Sequence, residues 1–173
     1  MDKSIEIILG DITKMNTDAI VNAANRSLLG GGGVDGAIHM AAGKELVREC
    51  MTLGGCMTGE AKITSAYKLP CKYVIHTVGP VYDENVKGQD KLLENCYVNS
   101  LKLAEENNLE TVAFSAISTG AYGYPIDEAC QIAFSAVAKT LPQLKRVRKV
   151  FFVCFNQKVF DAFKKAEKIF KNC

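Results

Sequence analysis

Several classes are excluded by what the sequence lacks. No apolar run approaches the length needed to cross a bilayer; the longest, such as Val150–Phe155, are far too short. Charge of one sign is not in excess: 21 Lys and Arg against 19 Asp and Glu leave a net +2. That supplies no strong field to recruit nucleic acid, so a phosphate-bearing ligand must be held by a local site. There is no C-x-x-C pair, and neither of the two histidines has a cysteine at metal-ligand spacing, so no metal or cofactor is expected. The seven cysteines (Cys50, Cys56, Cys71, Cys96, Cys130, Cys154 and Cys173) are odd in number and mostly sit in apolar stretches. Met1-Asp2-Lys3 leads almost directly into a strand-like run, without a leader. Reduced, core-filling thiols and a cytoplasmic setting are the expectation. Repeats, low-complexity tracts and linkers are missing too, which points to a single domain over 1–173, long enough to bury a full core and to stand as a monomer.

What is present is an alternation of two periodicities. Strand-like segments run at Ser4–Leu9, Ala19–Ala23, Ala61–Ala66, Tyr73–Val78, Thr111–Ala116 and Val150–Phe155. Between several of them the apolar residues recur at helical spacing. Asp127–Leu141 puts Ala129, Ile132, Ala133, Ala136 and Val137 on one face, and Leu92, Leu93, Cys96, Tyr97, Leu101 and Ala104 do likewise. A final stripe of Val159, Phe163, Ala166 and Phe170 lies opposite lysines that read as a solvated face. Strands apolar nearly throughout, alternating with helices, require a sheet covered on both sides. The fold class is therefore α/β, a three-layer α/β/α sandwich, whose ligands sit beyond the carboxyl ends of the strands.

Two glycine loops occupy that position. The first runs from Asn22 and Asn25 through Gly30-Gly31-Gly32-Gly33 to Val34, Asp35 and His39, and enters a helix near Val34. Four successive glycines are costly to order and poor at packing, but they let the backbone approach an anion closely. The second is Ser118-Thr119-Gly120-Ala121-Tyr122-Gly123-Tyr124-Pro125, with glycines, two hydroxyls and a following helix, all suited to phosphate. Tyr122 either lies over a sugar or ring, or simply packs.

Gly31-x-Gly33-x-x-Gly36 has the spacing of a dinucleotide fingerprint. That motif belongs directly after the first strand, with an acidic residue about twenty positions on. Here the loop follows the second strand, and Leu53-Gly54-Gly55-Cys56 carries no carboxylate. Neither loop contains the Gly-Lys-Ser or Gly-Lys-Thr of a P-loop.

Gly10-Asp11-Ile12, Ala19-Ile-Val-Asn22-Ala-Ala-Asn25, Gly31-Gly-Gly-Val-Asp35-Gly-Ala-Ile-His39, Thr58-Gly-Glu60-Ala and Ile117-Ser-Thr-Gly120-Ala-Tyr-Gly123-Tyr-Pro together resemble a macrodomain. The resemblance is to the MacroD type, which includes bacterial O-acetyl-ADP-ribose deacetylases, and it spans essentially the whole chain. It implies a mixed six-stranded sheet with ADP-ribose along its crest. Asp11 would accept from the adenine amino group, the N–H of Ile12 would meet the ring, and Phe155, with Asn156 beside it, would lie against adenine. Gly31, Gly32, Gly33 and Val34 on one side, and Ser118, Thr119, Gly120, Ala121 and Tyr122 on the other, would hold the diphosphate and distal ribose. The partners so implied are ADP-ribose, acyl-ADP-ribose and mono-ADP-ribosylated proteins, with neither membrane nor nucleic acid. The family often has tryptophan after Val-Gly-Pro-Val where this chain has Tyr82.

The reaction implied is metal-independent hydrolysis of an ester on the distal ribose. Asp35 is the candidate to orient and activate water, with either its carboxylate or a substrate phosphate oxygen taking the proton. Asn25 offers a donor and an acceptor to the ribose hydroxyls. The plainer readings are a helix cap for Asp35 and a turn former for Asn25. His39, one turn beyond Asp35, reads as a supporting residue, and His76 as a satisfied buried histidine. Cys56 has no evident basic neighbour to make it a nucleophile. The competing function is a module that binds ADP-ribose without turning it over. A nucleic-acid surface at Lys145-Arg146-Val-Arg148-Lys149 lacks interleaved aromatics.

Overall fold

A computed structural model of the chain describes residues 2–173. Six strands form one sheet: β1 (Ser4–Leu9), β2 (Ala19–Ala23), β3 (Ala61–Ser65), β4 (Tyr73–Thr77), β5 (Thr111–Phe114) and β6 (Lys149–Cys154). Five helices accompany them: α1 (Gly33–Ala42), α2 (Lys44–Met51), α3 (Gln89–Glu106), α4 (Ile126–Thr140) and α5 (Gln157–Lys171). The strand order is β1-β6-β5-β2-β4-β3, parallel throughout except for the β3–β4 pair. This is the mixed six-stranded sandwich expected.

Successive side chains of a strand point to opposite faces, so a sheet covered on both sides needs apolar residues at every position. Val21, Phe114 and Phe152 pack under α3, α4 and α5, together with Tyr97, Phe134 and Phe163. Their neighbours Ile20, Ala113 and Val153 pack on the other face, against Ile38 of α1 and Leu46 of α2. Phe152 and Phe163 stack with ring centroids 4.4 Å apart.

The observed boundaries of β1 and β2 coincide with the expected ones. β3 and β4 end one residue earlier, at Ser65 and Thr77, and β5 ends two earlier, at Phe114. β6 begins and ends one residue sooner, which puts Phe155 beyond the ladder. Helix α2 is not foreshadowed by any apolar period in the sequence. It has only eight residues, with Leu46 and Cys50 buried, and is set off from α1 by Gly43 at φ +87°. Two buried positions are too few to show a period.

The segment leading into β6 is fixed by one side chain. The Glu105 carboxylate, in the last turn of α3, accepts the N–H groups of Lys145, Arg146 and Val147 at 2.8, 2.9 and 3.0 Å. Desolvation opposes its charge, but the three donors outweigh it and hold the carboxyl below its usual value. A carboxyl whose pKa falls on folding contributes stability above its unfolded value and loses it on protonation. Glu105→Gln should therefore cost about 1 kcal/mol at neutral pH, a fall in Tm of roughly 2–4 °C. The gap from wild type should close as the pH drops through the carboxylate range in a thermal-melt series.

Candidate functional site

The carboxyl ends of four neighbouring parallel strands deliver the sequence-selected residues to one crest. β2 leads to Asn25, β5 to Ser118, β6 to Phe155 and β1 to Asp11. The first loop descends into α1, whose N-cap is Gly32, with no side-chain cap. The first bond of this helix end runs from the Gly36 N–H to the Gly32 carbonyl at 3.3 Å. The N–H groups of Gly33, Val34 and Asp35 thus have no carbonyl one turn back, which leaves an anion-favouring N-terminus. Gly30 and Gly33 take φ of +96° and +58°, a region that side chains rarely adopt. A Cβ on Gly36 would lie 2.5 Å from the Gly31 carbonyl oxygen, so the loop can rest on the helix only there.

Asp35 sits inside the first turn of α1 rather than capping it, and it is 5% exposed. Its Oδ1 accepts from Asn22 Nδ2 at 2.8 Å. His39 Nε2 lies 3.4 Å from the same oxygen, without a hydrogen bond. A Cβ on Gly31 would be 3.2 Å from Asp35 Oδ2 and 3.4 Å from Asn25 Nδ2. The second carboxylate oxygen and the Asn25 amide therefore converge where Gly31 has no side chain.

Asn25 does form the turn. Its Oδ1 accepts from the Ser27 hydroxyl at 2.7 Å and the Leu28 N–H at 3.1 Å, and its Nδ2 donates to the Gly30 carbonyl at 2.9 Å. An amide oxygen accepts two bonds and an NH₂ donates two. The expected donor-and-acceptor pair is thereby reduced to one free N–H.

Behind Asp35 lies a polar pair, Asn22 and His76, to which the sequence assigns no part in the site. Asn22, fully buried on β2, also sends Nδ2 to His76 Nδ1 at 3.1 Å, and His76 Nε2 lies 3.0 Å from Thr64 Oγ1. His76 is thus the satisfied buried histidine expected. Burial, reinforced by His39 and resisted by Asp35, brings its pKa down to about 4, so the ring is neutral. The available signal was Asn22 itself, a polar residue within an apolar strand.

The second loop departs from its expected chemistry. Ser118 has φ +69° and donates its hydroxyl to the Pro80 carbonyl at 2.8 Å; Thr119 donates to the Ala116 carbonyl at 2.7 Å. Both hydroxyl protons face inward, so neither is directed at a phosphate. The following helix carries Asp127 and Glu128 in its first turn, which already satisfies that dipole. What the loop offers is main chain: among the described residues, the N–H groups of Gly120, Ala121 and Tyr122 have no acceptor within the chain. Tyr97 sets the entrance, its phenol oxygen accepting the Ile117 N–H at 3.0 Å. Tyr122 is half-buried, and its carbonyl accepts the Tyr82 N–H at 2.8 Å.

At the far end, Asp11 Oδ1 accepts from the Thr13 hydroxyl and N–H at 2.7 and 2.9 Å. These bonds, the hydroxyl first, hold its carboxyl below the usual value and leave Oδ2 free. Ile12 is buried beside it, and Phe155 is 78% exposed. The Gly10 N–H binds the Cys154 carbonyl at 2.9 Å, so Asp11 and Phe155 are neighbours across β1 and β6. Asn156 caps α5, its Oδ1 accepting from the Val159 N–H at 2.9 Å.

A groove of about 610 Å³ runs along the outer side of the first loop, lined by Gly30, Gly31, Gly36, His39 and Met40 among others. Six of the seven cysteines are buried and all are free. Burial raises the Cys56 thiol, which gives it no nucleophilic advantage. Among the described residues, no cluster of three His, Cys, Asp or Glu side chains could hold a metal ion, and no helix is long and apolar enough to cross a membrane.

Parallel strand ends that carry two loops of unpartnered main-chain N–H groups along one crest define an α/β/α sandwich protein. The chain belongs to the macro domain family, whose profile matches residues 21–133. It is 57% identical over 94% of its length to a macro domain-containing protein of Methanosarcina mazei, covering 87% of that protein. It is 50% identical over 95% of its length to human ADP-ribose glycohydrolase MACROD2, of which it covers 39%. A glycine-to-valine variant of the Oceanobacillus iheyensis macrodomain, solved with ADPR, superposes with a TM-score of 0.95 at 42% identity, over 99% of this chain and 96% of that one.

Gly36→Ala should lower stability by about 1–3 kcal/mol, because its methyl meets the Gly31 carbonyl. Calorimetry checks this against Gly32→Ala, whose Cβ meets nothing within 4 Å and should leave Tm nearly unchanged.

Proposed function

We propose that the protein binds ADP-ribose and hydrolyses ester-linked groups from its distal ribose, acting on O-acetyl-ADP-ribose or on ADP-ribosylated Asp and Glu side chains. The observation that carries this reading is the meeting of Asp35 Oδ2 and the Asn25 amide at Gly31, beside an uncapped helix N-terminus. The relative named as an ADP-ribose glycohydrolase supports hydrolysis, and the ADPR-bound neighbour supports the ligand.

In this reading the main-chain donors of the two loops take the diphosphate, which needs no lysine or arginine. Adenine lies on Phe155, with its amino group donating to Asp11. The distal ribose then faces Gly31, where a side chain would intrude. Water held by Asp35 Oδ2 adds to the acyl carbonyl, and the tetrahedral adduct collapses with the ribose oxygen leaving as a hydroxyl. The proton from water goes to Asp35 or to a phosphate oxygen and is passed on to the departing ribose oxygen. Asn25 contributes its remaining N–H to a ribose oxygen and keeps the loop folded.

Asp35→Ala should reduce kcat for ADP-ribose release from a glutamate-modified protein by about 10²–10⁴-fold. Its affinity for ADP-ribose, followed by titration calorimetry, should stay within a few-fold of wild type. Binding without release by the wild-type protein would make it a reader instead, and no binding by either would defeat the ligand assignment. Phe155→Ala should weaken ADP-ribose on the order of tenfold by removing the stacking surface, with kcat little changed at saturation.

A further inference from the structure

We propose that His76 is a positioning residue for this hydrolysis: as an acceptor at Nδ1 it fixes the amide of Asn22, and through it the carboxylate of Asp35. The inference rests on the reading of Asp35 as the group that orients water. His76 does not touch the ligand site, since Asn22 stands between them.

Each bond in the cluster dictates the direction of the next. An ionised carboxylate only accepts, so the atom 2.8 Å from Asp35 Oδ1 has to be the Asn22 NH₂ rather than its oxygen. The same NH₂ lies 3.1 Å from His76 Nδ1, so that nitrogen must be the acceptor and must carry no proton. The ring proton of neutral His76 is then on Nε2, where it donates to Thr64 Oγ1 at 3.0 Å, with Cys50 Sγ at 3.7 Å as a second, weaker neighbour. Thr64 donates in turn to the Ser65 carbonyl at 3.0 Å. The opposite tautomer would present an N–H to the Asn22 NH₂, donor against donor. An amide flip would relieve that contact only by turning Oδ1 towards the Asp35 carboxylate.

The cluster ends on a backbone carbonyl, so it is not a proton path to solvent; its effect is orientation. Among the described residues, no other group donates to Asp35 Oδ1. His39 Nε2 approaches to 3.4 Å but makes no hydrogen bond. The amide is otherwise free to turn, because Asn22 Oδ1 is buried without a partner. Its energy minimum is therefore set by the two acceptors, Asp35 and His76. His76, Thr64 and Asn22 are all in the sheet, on β4, β3 and β2, and the register places Asn22 directly beside His76. The orientation of Asp35 is thus referenced to the hydrogen-bonded sheet, not to the glycine loop.

The test separates acceptor from filler with two polar variants. His76→Asn keeps an acceptor near the Nδ1 position, whereas His76→Gln places its amide near Nε2 and leaves Asn22 without one. Both should lower Tm. kcat on O-acetyl-ADP-ribose should fall by roughly 10²-fold in His76→Gln, as for a misplaced catalytic group, and stay within about fivefold of wild type in His76→Asn. ADP-ribose affinity should be unchanged in both. Nitrogen NMR of the wild-type histidine rings should show His76 with Nδ1 bare and Nε2 protonated. Equal losses in the two variants, or none in either, would reduce His76 to packing, and a protonated Nδ1 would overturn the assignment without any variant. A wild-type protein that binds ADP-ribose but hydrolyses neither acetyl nor glutamyl esters would instead remove the reaction, and this role with it.

Discussion

A carboxylate at 5% exposure must be compensated by directional partners, because burial of an unmatched charge is among the costliest states a fold can hold. In this chain the compensation comes from Asn22, fully buried in the strand between β5 and β4. The rest of the site is arranged around that bond. Asp35 must enter α1 at the first turn to reach it, so the preceding loop has to fold tightly over the helix. That crossing is possible only because Gly36 clears the Gly31 carbonyl and Gly31 clears Asp35. The glycine run is therefore a packing requirement as well as a stretch of exposed main chain.

The two loops reach similar exposed main chain by different routes. The first is shaped by Asn25, which spends its oxygen and one N–H on its own loop. The second is shaped by a strained residue: Ser118 stands at φ +69°, a conformation that costs on the order of 1–3 kcal/mol for a side chain. Its hydroxyl on Pro80 and its carbonyl on the Tyr124 N–H hold it there. Gly79 allows the approach, since a Cβ there would collide with the Ser118 hydroxyl.

Much of this was legible because buried parallel strands leave near-continuous apolar runs, and β1 and β2 could be read to the residue. The ends of β3, β4 and β5 overran because Ala66, Val78 and Ala116 stay apolar after the ladder has stopped. The glycine loops announced themselves by a composition that no packed element would choose. The direction of hydrogen bonds was hidden. Ser118 and Thr119 have hydroxyls fit for a phosphate, but whether these face a ligand or Pro80 depends on a segment almost forty residues away. Asn22 and His76 were obscure for the same reason: 54 residues separate them, and each alone resembles an isolated polar substitution in a strand.

The sheet order has a temporal consequence as well. β1 pairs with β6 only, so the first strand made has no sheet partner until the last has been synthesised. Asp11 and Phe155 therefore cannot come together until β6 has emerged, whereas β2, β3, β4 and β5 can already have zipped around Asn22 and His76. Long-range parallel closure is slow and leaves edges open meanwhile. On this topology the part of the crest next to Asp35 can form before the part between Asp11 and Phe155, which waits for residue 149 onward to emerge and slot between β1 and β5.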